Sequence, residues 1–184
     1  MSAVVTAIVF TSIPEKFSML TSSSAMPAGI SLRPAATGDQ PFLATLYRSA
    51  RPDLQLIDGE PEFIETVVAQ QYAVHAQGTG EEYPNAMHFV IEKTQAAVGA
   101  LVVDFGHNEV RVIYLAFIAA ARGFGYGKAV LRGVLQAAGN VQCPVTVVVW
   151  HNNPGAKRIY LELGFQVEES QLMADRMVWY PRQP

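Results

Sequence analysis

A glycine-rich segment between a strand pattern and a helix pattern constrains this chain more than any other feature. It reads Arg122-Gly123-Phe124-Gly125-Tyr126-Gly127-Lys128, and its three glycines let the backbone turn tightly and approach a ligand closely. The unpaired N–H groups of the helix that follows, and the positive end of its dipole, would face a bound anion. Arg122 adds a charge whose donors suit phosphate oxygens. The segment therefore predicts a pyrophosphate site at the start of a helix.

The two commonest nucleotide motifs do not fit this segment. A dinucleotide fingerprint needs a third glycine where Lys128 stands, and an acid about 20 residues later, whereas the next acid is Glu162. A Walker loop needs glycine at position 122 and Ser or Thr after Lys128, but the chain has Arg122 and Ala129 there. On the residues alone, a glycine-rich turn that only joins a strand to a helix stays open as the alternative.

Hydrophobic periodicity divides most of the chain into short alternating elements. It predicts strands at Ile30 to Leu32, Met87 to Glu92, Ala97 to Asp104, Glu109 to Phe117, Pro144 to Trp150, Phe165 to Glu168 and Met177 to Tyr180. It predicts helices after the capping-box spacing Thr37 to Gln40, from Pro61 to about Gly78, after Gly127, and from Ala156 to Leu163. The β-branched run before Trp150 is typical of a strand buried on both faces. The order β-α-α-β-β-β-α-β-α-β-β predicts one α/β (α+β) domain over residues 30–184.

Residues 1–29 form an N-terminal extension whose pattern differs from the rest. Val4 to Phe10 has strand propensity, which predicts an extra strand that pairs with an exposed sheet edge. Exposed edges and an additional apolar strand also favour homodimerisation.

Composition narrows the class of protein. The 184 residues are 50% hydrophobic and 16% charged, enough for one core. The net charge of −3 argues against nucleic acid as a partner. Ala3 to Phe10 is too short to span a bilayer, and the single Cys143 and the spacing of the histidines predict no metal site. These features favour a cytoplasmic protein with no membrane partner.

Two motifs together resemble the GNAT superfamily of N-acetyltransferases. The family motif Q/R-x-x-G-x-G/A is met by Arg122, Gly125 and Gly127. A second motif is met by Asn153-Pro154-Gly155-Ala156-Lys157-Arg158-Ile159-Tyr160 followed by Gly164-Phe165. One amphipathic helix and one strand separate the two motifs, and the likeness covers about residues 30 to 180, including Leu32-Arg33-Pro34.

The resemblance implies a GNAT-like fold: a mixed, mostly antiparallel central sheet splayed at its middle, with helices on both faces. It implies acetyl-CoA as cosubstrate, with its pantetheine arm between the strand ending at Phe117 and the strand from Val145 to Trp150. The residues it places at the cofactor are Phe117, Ile118, Ala119, Arg122, Gly123, Phe124, Gly125, Tyr126, Gly127, Lys128, Asn153, Ala156 and Tyr160.

The resemblance also assigns two catalytic positions. A backbone N–H near Phe117 would stabilise the oxyanion formed when an amine attacks the thioester. Tyr160 would protonate the departing thiolate, because a phenol is closer to a thiol in basicity than a carboxylic acid is. Without the paired motifs, Tyr160 would be read as a core residue on a helix. The predicted reaction is direct acetyl transfer to a primary amine in a ternary complex; the alternative is an acyl-CoA-binding sensor without turnover.

The sequence does not identify the general base or the acceptor. Glu109 is a candidate base that also fits a solvated strand end, and Tyr114 could act through a water. His151 could face the cofactor cleft or have a structural role. Tyr72, His75, Glu81 and Glu82 fall in the region that shapes the acceptor pocket in the family. An acidic group that would attract a cationic amine comprises Asp53, Asp58, Glu60 and Glu62.

Overall fold

The computed structural model describes residues 26–27 and 29–182. Its strands are β1 Ile30–Pro34, β2 Ala86–Lys93, β3 Ala96–Phe105, β4 Val110–Phe117, β5 Val145–Trp150, β6 Gln166–Ser170 and β7 Ala174–Trp179. Its helices are α1 Gln40–Ser49, the single turn α2 Pro52–Gln55, α3 Pro61–Glu82, α4 Tyr126–Asn140 and α5 Pro154–Glu162. Thr37–Asp39 and Ala119–Ala121 form 3-10 turns. The predicted strand Val4 to Phe10 lies outside the described residues.

The seven strands of the described region form one sheet in the order β1-β2-β3-β4-β5-β7-β6. Neighbouring strands are antiparallel everywhere except between β4 and β5. Helix α4 connects those two parallel strands, as a parallel pair requires a long crossover. The predicted mixed, mostly antiparallel sheet is confirmed.

Helices cover both faces of this sheet. Side chains alternate between the faces along each strand, so Phe89 and Ile91 lie in a core with α4 and α5. Val90 between them faces the other way and packs with Leu43 and Leu46 of α1. The sequence prediction of helices on both faces is therefore confirmed.

Strands β4 and β5 pair at only three rungs, the last of which joins Val112 to Val147. On its other side, β4 has a register shift against β3 that leaves Ile113 as an extra residue between Val112 and Tyr114. A bulge bends the strand that carries it. The bend coincides with the end of the β4–β5 ladder, so the rest of β4 diverges from β5. The predicted splay at the middle of the sheet is thus confirmed.

Three local expectations were wrong. Helix α3 continues through Gly78 and Gly80 to Glu82, because glycine weakens a helix without ending it where neighbouring turns hold. The capping interaction before α1 uses the Asp39 carboxylate, which accepts from the Ala36 N–H at 2.8 Å. Strand β5 is not buried on both faces throughout, because Val148 and Trp150 on one of its faces are exposed.

No helix within the described part of the chain combines the length and the apolar character needed to cross a membrane.

Candidate functional site

The end of β4 presents backbone groups to the gap beside β5. The Ile118 N–H donates to the Val98 carbonyl of β3 at 2.9 Å. Because backbone N–H groups alternate in direction along a strand, the N–H and carbonyl of Phe117 face the opposite way, toward β5. The N–H of Phe117 is therefore directed into the gap, and its role as an oxyanion donor stays a prediction.

Close packing between β3 and β4 holds Phe117 in place. A Cβ added to Gly99 would lie 2.5 Å from the Ala116 carbonyl oxygen and 2.9 Å from the Phe117 ring. Only a glycine fits there, since contacts of that length with a backbone atom force the strands apart. The same ring reaches α4, where a Cβ at Gly127 would be 3.4 Å from it. Phe117 thus links the sheet to the start of the helix.

The glycine-rich segment forms an open loop before α4. Gly123 and Gly125 have φ angles of 82° and 79°, a left-handed conformation that side-chain-bearing residues adopt only with strain. A Cβ at either position would meet nothing within 4 Å, so the space beside these two glycines is open. Tyr126, Gly127 and Lys128 form the first turn of α4, where N–H groups lack helical partners. The geometry fits an anion above the loop.

Side chains around the loop make contacts with different parts of the protein. Phe124 is 68% exposed, and its ring stacks on Tyr126 with the centroids 5.7 Å apart. Lys128 forms an ion pair with Glu162 of α5 at 2.6 Å, so its charge links two helices. Lys93, the last residue of β2, lies 5.6 Å from the centre of the Tyr126 ring. Sequence reasoning missed Lys93, because only the folded sheet brings the end of β2 beside α4.

Arg122 connects the end of β4 to the end of α1. Its Nε donates to the Phe117 carbonyl at 2.8 Å, and one terminal nitrogen lies 3.3 Å from the Ser49 carbonyl. These contacts hold the guanidinium between the end of β4 and the end of α1. Ile118 and Ala119 form the backbone between the strand and this arginine, and Ala119 begins the 3-10 turn.

Tyr160 lies on α5 with its ring in the main core. It is 8% exposed and packs edge-on against Phe165, with ring centroids 5.3 Å apart. Burial raises the pKa of Tyr160 to about 12, because the phenolate would lose its hydration. The hydroxyl therefore stays protonated at neutral pH.

Asn153 caps the helix that carries Tyr160. Its Oδ1 accepts from the Ala156 N–H at 3.1 Å, an interaction that stabilises a helix start. Pro154 occupies the first helical position, which suits proline. The cap fixes where α5 begins relative to β5, so Asn153 has a structural role in positioning that helix.

Two candidate bases are engaged elsewhere. Glu109 forms ion pairs with Arg111 at 2.6 Å and Arg176 at 2.8 Å, which hold its carboxylate beside the sheet. The His151 Nε2 lies 3.1 Å from the Asp175 carboxylate. Asp175 also accepts from Lys157 at 2.6 Å. Both groups therefore have structural partners.

An open cleft lies between α3 and the point where β4 and β5 part. We call it the α3 cleft; its volume is about 380 Å³. It is lined by Val74, His75, Gly78, Thr79, Glu82, Tyr83, Ile113 and Val148. A smaller internal cavity of about 30 Å³ lies behind it, and His75 and Thr79 line both. Neither lining includes any of the four acids between α1 and α3 that the sequence singled out.

The chain matches a protein family in sequence and solved structures in fold. The model of the acetyltransferase (GNAT) family matches residues 43–165, about two thirds of the chain. No curated protein matches the chain in sequence.

Solved structures share the fold at low sequence identity. The PaiA N-acetyltransferase from Thermoplasma acidophilum, in complex with coenzyme A, superposes with a TM-score of 0.62 at 15% identity, covering 82% of this chain and 98% of that one. A spermidine N-acetyltransferase from Vibrio cholerae gives 0.59 at 18% identity, with coverages of 84% and 95%. Arabidopsis thaliana Naa50, with the bisubstrate analogue CoA-Ac-MVNAL, gives 0.55 at 17%, with coverages of 82% and 97%.

Proposed function

This chain belongs to the GNAT acetyltransferase family and is an acetyl-CoA-dependent N-acetyltransferase, and on that premise we propose that a primary amine attacks acetyl-CoA directly in a ternary complex. The observation that carries this proposal is the pairing of β4 with β5, which stops at Val112 and Val147. Beyond that rung, backbone groups of β4 face a gap that ends at an open, anion-compatible loop. An extended ligand with an anionic end fits both features.

The proposed cosubstrate follows the gap from the loop toward the last rung. Its pyrophosphate would bind the N–H groups of residues 123–128, at the positive end of α4. Its pantetheine amides would pair with backbone groups near Phe117, as an added strand pairs with a sheet edge. Asn153 and Ala156 at the start of α5 would border the opposite side. The T. acidophilum relative was solved with coenzyme A, which supports this choice of ligand.

The proposed chemistry needs two groups of the protein. A neutral amine attacks the thioester carbonyl, a C–N bond forms, and negative charge develops on the carbonyl oxygen. The N–H of Phe117 is directed into the gap, where it can stabilise that charge. The C–S bond then breaks, and the sulfur takes a proton from Tyr160. The nitrogen of the new amide gives up one proton to solvent, and the Tyr160 oxygen takes one back from solvent. Because burial keeps the phenol protonated, Tyr160 holds the required proton across the physiological pH range.

The acceptor is an amine, and the relatives do not narrow its class to one kind. The V. cholerae relative is a spermidine N-acetyltransferase, and Naa50 was solved with an acetylated peptide analogue. Small amines and peptide amines are both candidates.

A turnover assay tests the proposed function. Purified protein would be incubated with acetyl-CoA and a panel containing an arylalkylamine, a polyamine, amino acids and a peptide. Free thiol and the acetylated product would be measured together. Equal yields of thiol and N-acetyl product support direct transfer. Binding of acetyl-CoA with no product from any amine would favour the sensor alternative.

A further inference from the structure

The α3 cleft begins where the β4–β5 ladder ends. Ile113 and Val148 are the next positions after the last rung, and both line the cleft. A group bound there would lie directly beside the unpaired edge of β4. The cleft is therefore placed to present an acceptor to a thioester held between the strands, an arrangement that rests on the proposed function.

The lining of the cleft combines three aliphatic side chains, those of Val74, Ile113 and Val148, with polar groups and a single carboxylate. Val74 and Val148 are 68% and 61% exposed, unusually open for valine side chains. Glu82 is the one acid in this lining. Asp53, one of the four acids that the sequence offered as an attraction for a cationic amine, is instead ion-paired with Arg51 at 2.6 Å. A single ammonium attached to an apolar body matches the cleft better than a polyamine, which needs several spaced carboxylates.

His75 lines both the cleft and the internal cavity. Its ring stacks on Tyr47 of α1 with centroids 4.8 Å apart, which fixes its orientation. On the inner side it shares the cavity with Tyr72 of its own helix, His88 of β2 and Tyr114 of β4. Burial, and then the charge of Arg51, lower the pKa of His75, so the ring is neutral at neutral pH.

Tyr114 offers the means to stabilise a protonated His75. Its ring centroid is 5.8 Å from that of His75. Among the described residues its hydroxyl is the buried side-chain polar atom with no hydrogen-bond partner. Such a group normally finds a partner, and an imidazolium N–H is a donor it can accept.

We propose that the α3 cleft binds an amine with an apolar body, and that His75 accepts the proton of its ammonium. The bound ammonium transfers one proton to the neutral imidazole, which gives a neutral amine and an imidazolium. The lone pair released on nitrogen then forms the C–N bond with the acetyl carbon. The C–S bond breaks as the sulfur takes the proton of Tyr160, and the nitrogen loses its second proton to solvent. Glu82 attracts the ammonium to the same cleft, and the imidazolium loses its proton to solvent after the product leaves.

Two nearly isosteric amines test this role. Phenethylamine is protonated at neutral pH, whereas O-benzylhydroxylamine has a similar shape and is neutral. In His75→Gln, kcat for phenethylamine should fall by about 100-fold or more, the usual range for loss of a general base. The rate with O-benzylhydroxylamine should stay close to that of the wild type, because no proton has to be removed before attack.

His88→Gln is the matched control, because His88 lines the internal cavity but not the α3 cleft. It should leave both rates near the wild-type values. Calorimetric titration with acetyl-CoA verifies that each variant still binds the cosubstrate. A fall of both rates in His75→Gln by the same factor would show a structural role and overturn the proposal, as would an unchanged phenethylamine rate.

The pH profile gives a second test that does not need the variant to fold. In the wild type, kcat for phenethylamine should level off at or below neutral pH, once His75 is neutral. Without a base, kcat would rise about tenfold per pH unit through neutrality, following the free amine. A wild-type preference for spermidine over phenethylamine would overturn the choice of ligand class. Acetyl-CoA binding without acetylation of any amine would instead overturn the proposed function itself.

Discussion

Ile113 and Val148 sit at equivalent positions just beyond the last rung of the parallel ladder, yet they do not pair with each other. Both line the α3 cleft. Ile113 is also the extra residue of the β-bulge in β4. One local irregularity therefore ends the ladder, frees the edge of β4 and opens the cleft beside it. The cosubstrate gap and the acceptor cleft have a common structural origin.

Replacing Tyr160 by phenylalanine removes the proposed acid without changing the shape of the core. We expect kcat for acetyl transfer to fall by about 100-fold or more, because the departing thiolate no longer receives a proton from Tyr160. The ring still packs against Phe165, so acetyl-CoA affinity should change little. Tyr180→Phe is the control, because that hydroxyl is exposed and bonds Glu168. Full activity in Tyr160→Phe would assign Tyr160 to packing alone.

Replacing Gly99 by alanine should disturb the end of β4. The new Cβ would meet the Ala116 carbonyl at 2.5 Å, and overpacking of this kind costs about 1–3 kcal/mol. Because β4 carries Phe117, acetyl-CoA affinity should fall along with stability. Urea unfolding and calorimetric titration measure the two effects.

Gly80→Ala is the matched glycine substitution. Gly80 lies within α3, and an added Cβ meets nothing within 4 Å. Alanine is favoured over glycine in a helix by about 1 kcal/mol, so the free energy of unfolding should rise by about that amount. Acetyl-CoA affinity should not change. Destabilisation by Gly80→Ala would contradict the continuous helix through Glu82.

The stability of the fold should depend on pH through Asp175. Its buried carboxylate accepts from Lys157, then Ser170, then His151, and these bonds hold the pKa of Asp175 well below its usual range. A pKa that is lowered in the folded state adds stability that is fully present above the unfolded-state pKa of about 3.9. This stability is lost as the pH falls through the folded-state pKa. Wild type should therefore be more stable than Asp175→Asn at neutral pH.

Urea unfolding midpoints at several pH values measure this dependence. The difference between wild type and Asp175→Asn should narrow as the pH drops below about 4. Asp53→Asn provides the comparison, because Asp53 is exposed and its partner Arg51 is close in sequence, and exposed pairs contribute little. A difference that stays constant with pH would exclude the charge of Asp175 as its source.

Features encoded by neighbouring residues were predictable from the sequence. The loop at Gly123 and Gly125 needs left-handed backbone, which glycine supplies locally. The start of α5 needs the side chain of Asn153 and the ring of Pro154, all within a few residues. The periodicity of hydrophobic residues predicted the central strands. Each of these signals acts over one turn of helix or one strand.

Features that depend on distant contacts were not predictable. Arg122 bonds to Ser49 across 73 residues, and no local pattern marks that partner. His75 stacks on Tyr47 of α1 and lies beside Tyr114 of β4, and no local pattern in the sequence marks either neighbour. Helix α3 continues through Gly78 and Gly80 because the neighbouring turns stay helical, although glycine is a poor helix former. Tertiary packing decided each of these cases.

The measurement that tests the central claim most directly is calorimetric titration of acetyl-CoA into the wild type and Gly125→Glu. The substitution puts a side chain at a left-handed position and a negative charge at the proposed pyrophosphate site. We predict that the wild type binds and that Gly125→Glu binds at least about 100-fold more weakly, a difference of about 2.7 kcal/mol. Gly80→Ala should bind like the wild type. Equal affinity of wild type and Gly125→Glu, or no binding by the wild type, would contradict the placement of acetyl-CoA between β4, β5 and the loop.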